Sequence, residues 1–188
     1  MNLNYLLLGR LVEINIETER LILREFVKDD FLSIHNYASD PEVVKYQPWG
    51  PNSEKDTQLF LDQNIKYQLD NPRYDYEVAV VKKDDNKLIG ACGIHLSNLD
   101  NKEGWIGYCY HQQYWGNGYA TEAAKAIIKF GFKHLNLHRI FATCDPDNFG
   151  SAKVLEKIGM IKEGRLIPIL EDQIEIESGI EEGITTGE

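Results

Sequence analysis

The chain has 188 residues, of which 43% are hydrophobic and 27% charged, a composition typical of one globular domain and not of a disordered chain. Its formal net charge of −10 argues against the basic surface that nucleic-acid binding usually requires. Residues 169–188 contain seven acids and no Lys or Arg, so the rest of the chain has a net charge of only −3. We therefore expect a single domain over residues 1–168, followed by a solvated acidic tail over residues 169–188.

The three cysteines, Cys92, Cys109 and Cys144, are widely spaced and match no zinc-binding pattern, so we expect no metal. An odd number of cysteines without a secretion signal favours reduced thiols in the cytoplasm. The apolar patch at residues 3–8 is too short for a membrane span and lacks the basic flank of a signal peptide. The sequence thus predicts a cytoplasmic protein with no membrane contact.

Periodicity and turn residues predict an alternation of strands and helices along most of the chain. In the first half we predict a strand at 19–26 and then a helix from Asp29 or Asp30 to Ala38, which Asp40-Pro41 ends. An aromatic loop at 46–51 and a helix from Ser53 to about 71 follow. Two strands, at 74–82 and 87–96, then form a hairpin. In the second half they are a strand at 104–110, a helix at 119–135, a strand at 138–144, a helix at 148–158 and the start of a strand at 160–164. This order predicts an α/β (α+β) fold with a mixed, mostly antiparallel central sheet flanked by helices.

A glycine-rich turn separates the strand that ends near Tyr110 from the helix that begins near Gly118. Gly116 and Gly118 permit positive φ angles and leave no side chain above the backbone amides. Free N–H groups and the positive end of the helix dipole then meet at one point, which suits a phosphate or pyrophosphate. A dinucleotide fingerprint would need a third glycine where Thr121 stands, and a P-loop would need Gly-Lys-Ser/Thr, which is absent. An anion-binding turn and a plain tight turn stay open at this point.

Three sequence blocks, in order, resemble one family. Gln113, Gly116 and Gly118 have the spacing Q-x-x-G-x-G, which resembles the acyl-CoA motif of the GNAT superfamily of N-acyltransferases. The wider segment YWGNGYATEA is similar to the Rim-type branch, the ribosomal-protein N-terminal acetyltransferases. TERLILR at residues 18–24 and N-x-x-S-x-x-x-x-E-K-x-G-M at residues 148–160 agree with that branch. The resemblance covers about residues 18 to 166.

The resemblance implies an acetyl-CoA site in a V-shaped opening between the family's fourth and fifth strands, here residues 104–110 and 138–144. The backbone around Tyr108 and Tyr110 would pair with the pantetheine amides, and Asn148 would contact the pantetheine arm. The pyrophosphate would be wrapped by the amides of Gln113, Tyr114, Trp115, Gly116, Asn117, Gly118, Tyr119 and Ala120.

The resemblance also implies a reaction in which a primary amine attacks the thioester of acetyl-CoA directly. The acceptor would be a protein N-terminus or a small-molecule amine, and the acidic chain mildly favours a cationic one. A hydroxyl group near the sulfur can donate a proton to the departing thiolate. The tyrosine that many family members use for this is replaced by Leu155, whereas the serine of the Rim-type branch matches Ser151.

The general base is less well defined by the sequence. The carboxylate that the branch often has before Ile-Gly-Tyr/Trp is Trp105 here, and Glu103 lies two residues earlier on the same face of the strand. Glu103 is therefore a candidate catalytic carboxylate that would act through water, although a solvated charge at a strand end is the alternative. His111 and His138 also stand near strand ends, where a structural role is the alternative to that of a base.

Two regions bear on the acceptor. Tyr46, Gln47, Pro48 and Trp49 lie where the family's loop borders the acceptor pocket, and could form a substrate wall or simply pack the loop. After Gly164 the resemblance fades: the Trp-Arg-Asp that often precedes the last strand is missing, and residues 173–177 (QIEIE) alternate like one strand. An incomplete sheet edge there could pair two chains in a homodimer. The alternative function is a non-catalytic acyl-CoA-binding or interaction protein with the same fold.

Overall fold

The structure, a computed structural model, describes residues 14–164 and the backbone of residues 183–186. Within these residues the strands are β1 (Asn15–Glu17), β2 (Leu21–Arg24), β3 (Asp75–Lys82), β4 (Leu88–Asn98), β5 (Glu103–Tyr110), β6 (Arg139–Thr143), β7 (Ile161–Lys162) and β8 (Gly183–Thr186). The helices are α1 (Phe31–Ala38), α2 (Pro41–Val44), α3 (Glu54–Tyr67), α4 (Tyr119–His134) and α5 (Phe149–Lys157). No helix of the described segments is long and apolar enough to cross a membrane.

All these strands belong to one sheet, in the order β1-β2-β3-β4-β5-β6-β8-β7. Neighbouring strands are antiparallel except β5 and β6, which are parallel. The predicted fold class, a mixed and mostly antiparallel sheet flanked by helices, is therefore confirmed.

Apolar residues alternate along the central strands and give the sheet two packed faces. On one face, Val78, Cys92 and Ile94 pack against the buried side of α4, which includes Ala124 and Ile127. On the other face, β3 to β5 pack beneath α1, α2 and α3 in a second buried cluster, which comprises Phe26, Ile34, Tyr37, Ala38, Val43, Val44, Leu61, Ala79, Val81, Ala91 and Cys109. The functional cavity described below opens on this second face.

Two elements near the N-terminal side differ from expectation. The helix predicted to end before Asp40-Pro41 does end there, at Ala38, but the Asp40 side chain also accepts a hydrogen bond from the N–H of Glu42 at 2.9 Å and caps an unpredicted short helix, α2. Proline fits the first turn of a helix, because the N–H it lacks would have no partner there. The short strand β1, which pairs with β2, was not predicted at all.

The C-terminal side also differs. Residues 183–186 form β8, which lies between β6 and β7, so the expectation of a solvated tail is wrong for this segment. The strand predicted at residues 173–177 and the domain boundary at residue 168 lie outside the described residues.

The parallel strands β5 and β6 separate soon after they meet. Their pairing is confined to Glu103–Trp105 against Arg139–Phe141. The remainder of β5, residues 106–110, continues without β6 beside it, while β6 pairs with β8 on its other side. A gap therefore opens between the two strands at the end where the glycine-rich turn and α5 begin.

Candidate active site

One cavity of about 620 Å³ occupies the gap between β5 and β6 and continues beneath α1 and α3. Residues 105–109 of β5 form one wall, and residues 142–145, at the end of β6 and just after it, form another. The start of α5 closes one end with Asn148 and Ser151, and the loop at residues 46–49 closes the other. The predicted V-shaped opening and the predicted acceptor side are thus parts of the same space.

The glycine-rich turn has the backbone geometry that the sequence predicted. Gly116 and Gly118 have φ angles of +76° and +81°, in the left-handed region that favours glycine. The helix α4 begins at Tyr119, directly after Gly118. Within the part of the chain that the structure describes, the N–H groups of residues 116–121 donate to no protein acceptor. They are available for an anion at the positive end of α4.

Neighbouring side chains hold the turn in place. The indole N–H of Trp115 donates to the carbonyl of Tyr110 at 2.7 Å, which fixes the turn against the end of β5. The side-chain amide of Asn117 donates to the carbonyls of Tyr114 and Trp115. Nδ1 of His111 accepts from the N–H of Gln113 at 3.2 Å, so this histidine has a structural role at the turn.

A carboxylate in the first turn of α4 ties the glycine-rich turn to the start of β2. Glu122 accepts from the hydroxyl of Thr18 at 2.6 Å and from both the backbone N–H and the guanidinium of Arg20. Arg20 also donates to the carbonyl of Asn117 at 3.0 Å and lies over the Tyr119 ring. Burial would raise the pKa of Glu122, but the hydrogen bonds from Thr18 and Arg20 outweigh it and lower the pKa. This link was not predicted from the sequence, although Thr18 and Arg20 belong to the TERLILR segment and Glu122 to the ATEA segment.

Ser151 and Tyr108 form a pair of hydroxyl groups in the cavity. Their oxygens are 2.9 Å apart, and the Tyr108 hydroxyl also lies within donating distance, 3.2 Å, of the Ser151 carbonyl. Burial raises the pKa of Tyr108, so its hydroxyl keeps its proton at neutral pH. Leu155, one helical turn after Ser151, also lines the cavity and is buried. An apolar side chain therefore occupies the position at which many family members have a proton-donating tyrosine. Sequence analysis assigned only the backbone of Tyr108.

Asn148 is the N-cap of α5, and its side-chain oxygen accepts from the N–H of Ser151 at 3.0 Å. This bond fixes the first turn of the helix and with it the position of the Ser151 hydroxyl. Both residues line the cavity.

Glu103, the predicted catalytic carboxylate, does not line the cavity. It stands at the beginning of β5, where its side chain lies 3.4 Å from the guanidinium of Arg139, which also contacts Glu163 at 2.8 Å. The reason is that β5 is paired with β6 at this residue, so Glu103 lies where the gap has not yet opened. His138 lies beside Lys102, 3.4 Å away, and is likewise outside the cavity. The geometry gives neither residue a catalytic position.

A different ionisable group faces the cavity on the acceptor side. Nδ1 of His95 lies 2.9 Å from Asp75, and its Nε2 lies 3.1 Å from Glu77. The Trp105 ring stacks on the His95 imidazole with centroids 4.0 Å apart and an angle of 21° between the planes. His95, Glu77 and Trp105 line the cavity. We name Asp75, His95 and Glu77 the β3–β4 carboxylate–histidine array.

The array holds His95 as an imidazolium. Both ring nitrogens face carboxylate oxygens, and both can donate only when the ring is protonated. Burial alone would lower the pKa of His95, but the hydrogen bonds to Asp75 and Glu77 outweigh it and raise the pKa to about 9. His95 is therefore a positive charge at neutral pH, held between the side chains of Asp75 and Glu77.

Of the three cysteines, Cys92 and Cys109 are buried, as expected for small apolar residues, and no disulfide joins the three, all of which lie in the described residues. Cys144 lines the cavity beside β6. Within residues 14–164 no group of three His, Cys, Asp or Glu side chains has the arrangement of a metal site.

Similarity to known proteins agrees with this geometry. Residues 20–161 match the family described as Acetyltransferase (GNAT) domain. YnaD, an uncharacterized N-acetyltransferase of Bacillus subtilis (strain 168), is 39% identical over 150 residues, which cover 80% of this chain and 84% of that protein. The solved structure of a GNAT-family acetyltransferase from Bacillus anthracis is 34% identical, with a TM-score of 0.76 over 92% of this chain and 98% of that chain. The ribosomal-protein-S5-alanine acetyltransferase from Vibrio fischeri is 26% identical, with a TM-score of 0.73 over 92% of this chain and 94% of that chain.

Proposed function

We propose, on the premise that this chain belongs to the GNAT family of acetyltransferases, that it transfers the acetyl group of acetyl-CoA directly to a primary amine. The observation that carries the proposal is the continuity of one cavity from the gap between β5 and β6 to the space beneath α1 and α3. A thioester held in the gap and an amine held beneath the helices would meet inside this cavity without a covalent enzyme intermediate.

For the donor, we assign the pyrophosphate of acetyl-CoA to the N–H groups of residues 116–121, which have no protein acceptor within the described segments. The N–H groups of Gln113, Tyr114 and Trp115, which were also expected to wrap the pyrophosphate, instead donate to Nδ1 of His111 and to the carbonyls of His111 and Gln112, so these three residues shape the turn. The pantetheine arm would lie along β5 in the gap, where the Tyr108 carbonyl accepts only a long hydrogen bond, 3.5 Å, from Gln47. Asn148, across the gap, would contact the same arm.

For the leaving group, we assign Ser151 as the proton donor to the CoA thiolate. When the Tyr108 hydroxyl donates to the Ser151 oxygen, the Ser151 hydrogen is free to point into the cavity. The ammonium group first loses a proton to solvent, because only the neutral amine has a lone pair with which to attack the carbonyl carbon. As the C–N bond forms and the C–S bond breaks, the sulfur takes the Ser151 proton and the nitrogen gives its remaining extra proton to solvent. Tyr108 then passes a proton to Ser151 along the hydrogen bond, which its protonated state at neutral pH permits, and regains one from solvent.

The test is a thiol-release assay with acetyl-CoA and a panel of amines. The proposal predicts CoA release that depends on both the enzyme and an added amine. Binding of acetyl-CoA without turnover for every amine would instead support the alternative function, a non-catalytic acyl-CoA-binding protein. The same assay on a protein N-terminus and on small amines separates the two acceptor classes.

A further inference from the structure

The Glu77 side chain reaches across the sheet from β3 toward β5. Glu77 is paired in register with Gly93 of β4, which is paired with Gly107 of β5. A Cβ atom at residue 93 would overlap Glu77 Oε2 and lie 2.7 Å from Nε2 of His95. The glycine at this position therefore leaves the space in which the carboxylate lies against the cavity.

Among the described residues, one carboxylate oxygen of Glu77 has a hydrogen-bonding partner and the other has none. Oε2 contacts His95 at 3.1 Å. Within the described residues no donor reaches Oε1, although the Glu77 side chain is only 15% exposed. Oε1 is open to the cavity, so a ligand that donates a hydrogen bond can reach it.

The charge of the cavity favours a cation as that ligand. Asp56, Glu77 and Asp145 are the described carboxylates that line the cavity, and His95 is the one described cationic group, already placed between two carboxylates. No described Lys or Arg side chain is part of the lining. An ammonium group would thus enter a region of net negative charge.

Aromatic rings surround the same space. Trp105 covers His95 from the cavity side and is 41% exposed, and Trp49 and Phe60 line the opposite wall. Aromatic faces attract cations and also pack against the carbon chain of an alkylamine. The wall suits an ammonium group attached to an apolar chain or ring.

We propose that Glu77 is the acceptor-binding residue, that its Oε1 receives a hydrogen bond from the ammonium group of a cationic amine acceptor, and that His95 and Asp75 are positioning residues which fix that carboxylate. This inference rests on the acetyl transfer proposed above. In the Rim-type branch a carboxylate on the strand equivalent to β5 often stands where this chain has Trp105. In this chain Glu77 would supply the carboxylate instead, from β3, which lies two strands away on the same face of the sheet.

The experiment compares Glu77→Gln with the wild type, using whichever of putrescine, benzylamine and glycylglycine the wild type acetylates fastest. Because a charge-assisted hydrogen bond is lost, the KM for the amine should rise about 10- to 100-fold. The KM for acetyl-CoA should stay within about twofold, since Glu77 lies on the acceptor side. Glu77→Asp, which keeps the charge, should recover part of the loss.

Glu42→Gln is the matched control, because Glu42 is an exposed carboxylate of α2 that does not line the cavity. This variant should keep the wild-type KM for the amine. An unchanged amine KM in Glu77→Gln, or an equal rise in the KM for acetyl-CoA, would overturn the inference while leaving the acetyl transfer intact. If the wild type acetylates no amine, the proposed function fails and the inference fails with it.

Discussion

Oε2 of Glu77 on β3 lies 3.1 Å from Nε2 of His95 on β4, and both side chains face the cavity in which the acceptor would bind. The contact depends on the register of the two strands, which pairs Glu77 with Gly93 and Asp75 with His95. It places a carboxylate group against the cavity in a chain whose described β5 residues offer none there.

Stability should depend on pH through His95. Its pKa is about 9 in the folded protein and 6.5 in an unfolded chain, so the folded state binds the proton more tightly. The stabilisation is fully present below pH 6.5 and is lost as the pH rises through 9. A shift of this size corresponds to about 3 kcal/mol. Urea unfolding at a series of pH values measures it.

The control for this measurement is His95→Gln, which has no titrating group at that position. The difference in unfolding free energy between wild type and variant should shrink by about 3 kcal/mol between pH 6.5 and 9. A difference that stays constant over this range would show that the array does not hold an imidazolium.

The hydroxyl pair should affect kcat. Ser151→Ala removes the group assigned to protonate the thiolate, so kcat should fall about 100- to 10,000-fold, the usual range for general acid catalysis. Tyr108→Phe should have a smaller effect, because Ser151 can still donate its own proton. Steady-state kinetics at saturating acetyl-CoA measure both. Equal kcat values for Ser151→Ala and wild type would exclude Ser151 as the proton donor.

The glycine-rich turn should control the affinity for acetyl-CoA. Valine at residue 116 or 118 would have to adopt a φ angle near +80°, which is strained for a β-branched residue, or the turn would move. We expect acetyl-CoA to bind at least about tenfold more weakly, because the N–H groups would no longer converge. Calorimetric titration with acetyl-CoA measures the change.

Gly159→Val is the matched control for the turn. Gly159 has a φ angle of +91° and no atom within 4 Å of a built Cβ, as is also true of Gly116, but it follows α5 and does not belong to the turn. It should lose a similar amount of stability, about 1–2 kcal/mol, and keep its affinity for acetyl-CoA. If Gly159→Val and Gly116→Val weaken binding equally, the turn has no special part in it.

Glu122 should position the turn through Arg20. Glu122→Gln weakens the bonds that hold Arg20 beside Asn117, so we expect the KM for acetyl-CoA to rise several-fold with little change in kcat. The stability loss should be about 1 kcal/mol or less, since the Arg20 side chain is 44% exposed. Glu17→Gln removes the exposed ion pair with Lys83, which is also near the start of β2, and should leave the KM unchanged. Equal KM effects in the two variants would contradict a positioning role.

The sequence predicted most elements between Leu21 and Met160, because their apolar periods and caps are local signals. The strand β8 could not be predicted from local signals of this kind. Its segment, GITT, is short, and it becomes a strand only by lying between β6 and β7. Pairing of this kind depends on tertiary context more than on propensity.

The glycine-rich turn was predictable, whereas the β3–β4 carboxylate–histidine array was not. Gly116 and Gly118 lie just before the helix α4, so their backbone conformation can be predicted from local sequence. Asp75, Glu77 and His95 come from two strands, and only the β3–β4 register brings them together. Two acids at alternate positions at the start of β3, and a histidine that follows the apolar run of β4, were the available signals. Family resemblance directed attention to Glu103 on β5 instead.

The most direct test of acetyl transfer is mass spectrometry of the complete reaction of wild-type protein, acetyl-CoA and an amine. Direct attack predicts one acetylated amine for each CoA released, with the mass of the protein unchanged throughout. Release of CoA without an acetylated amine, or an acetylated protein that forms before the product, would contradict the account.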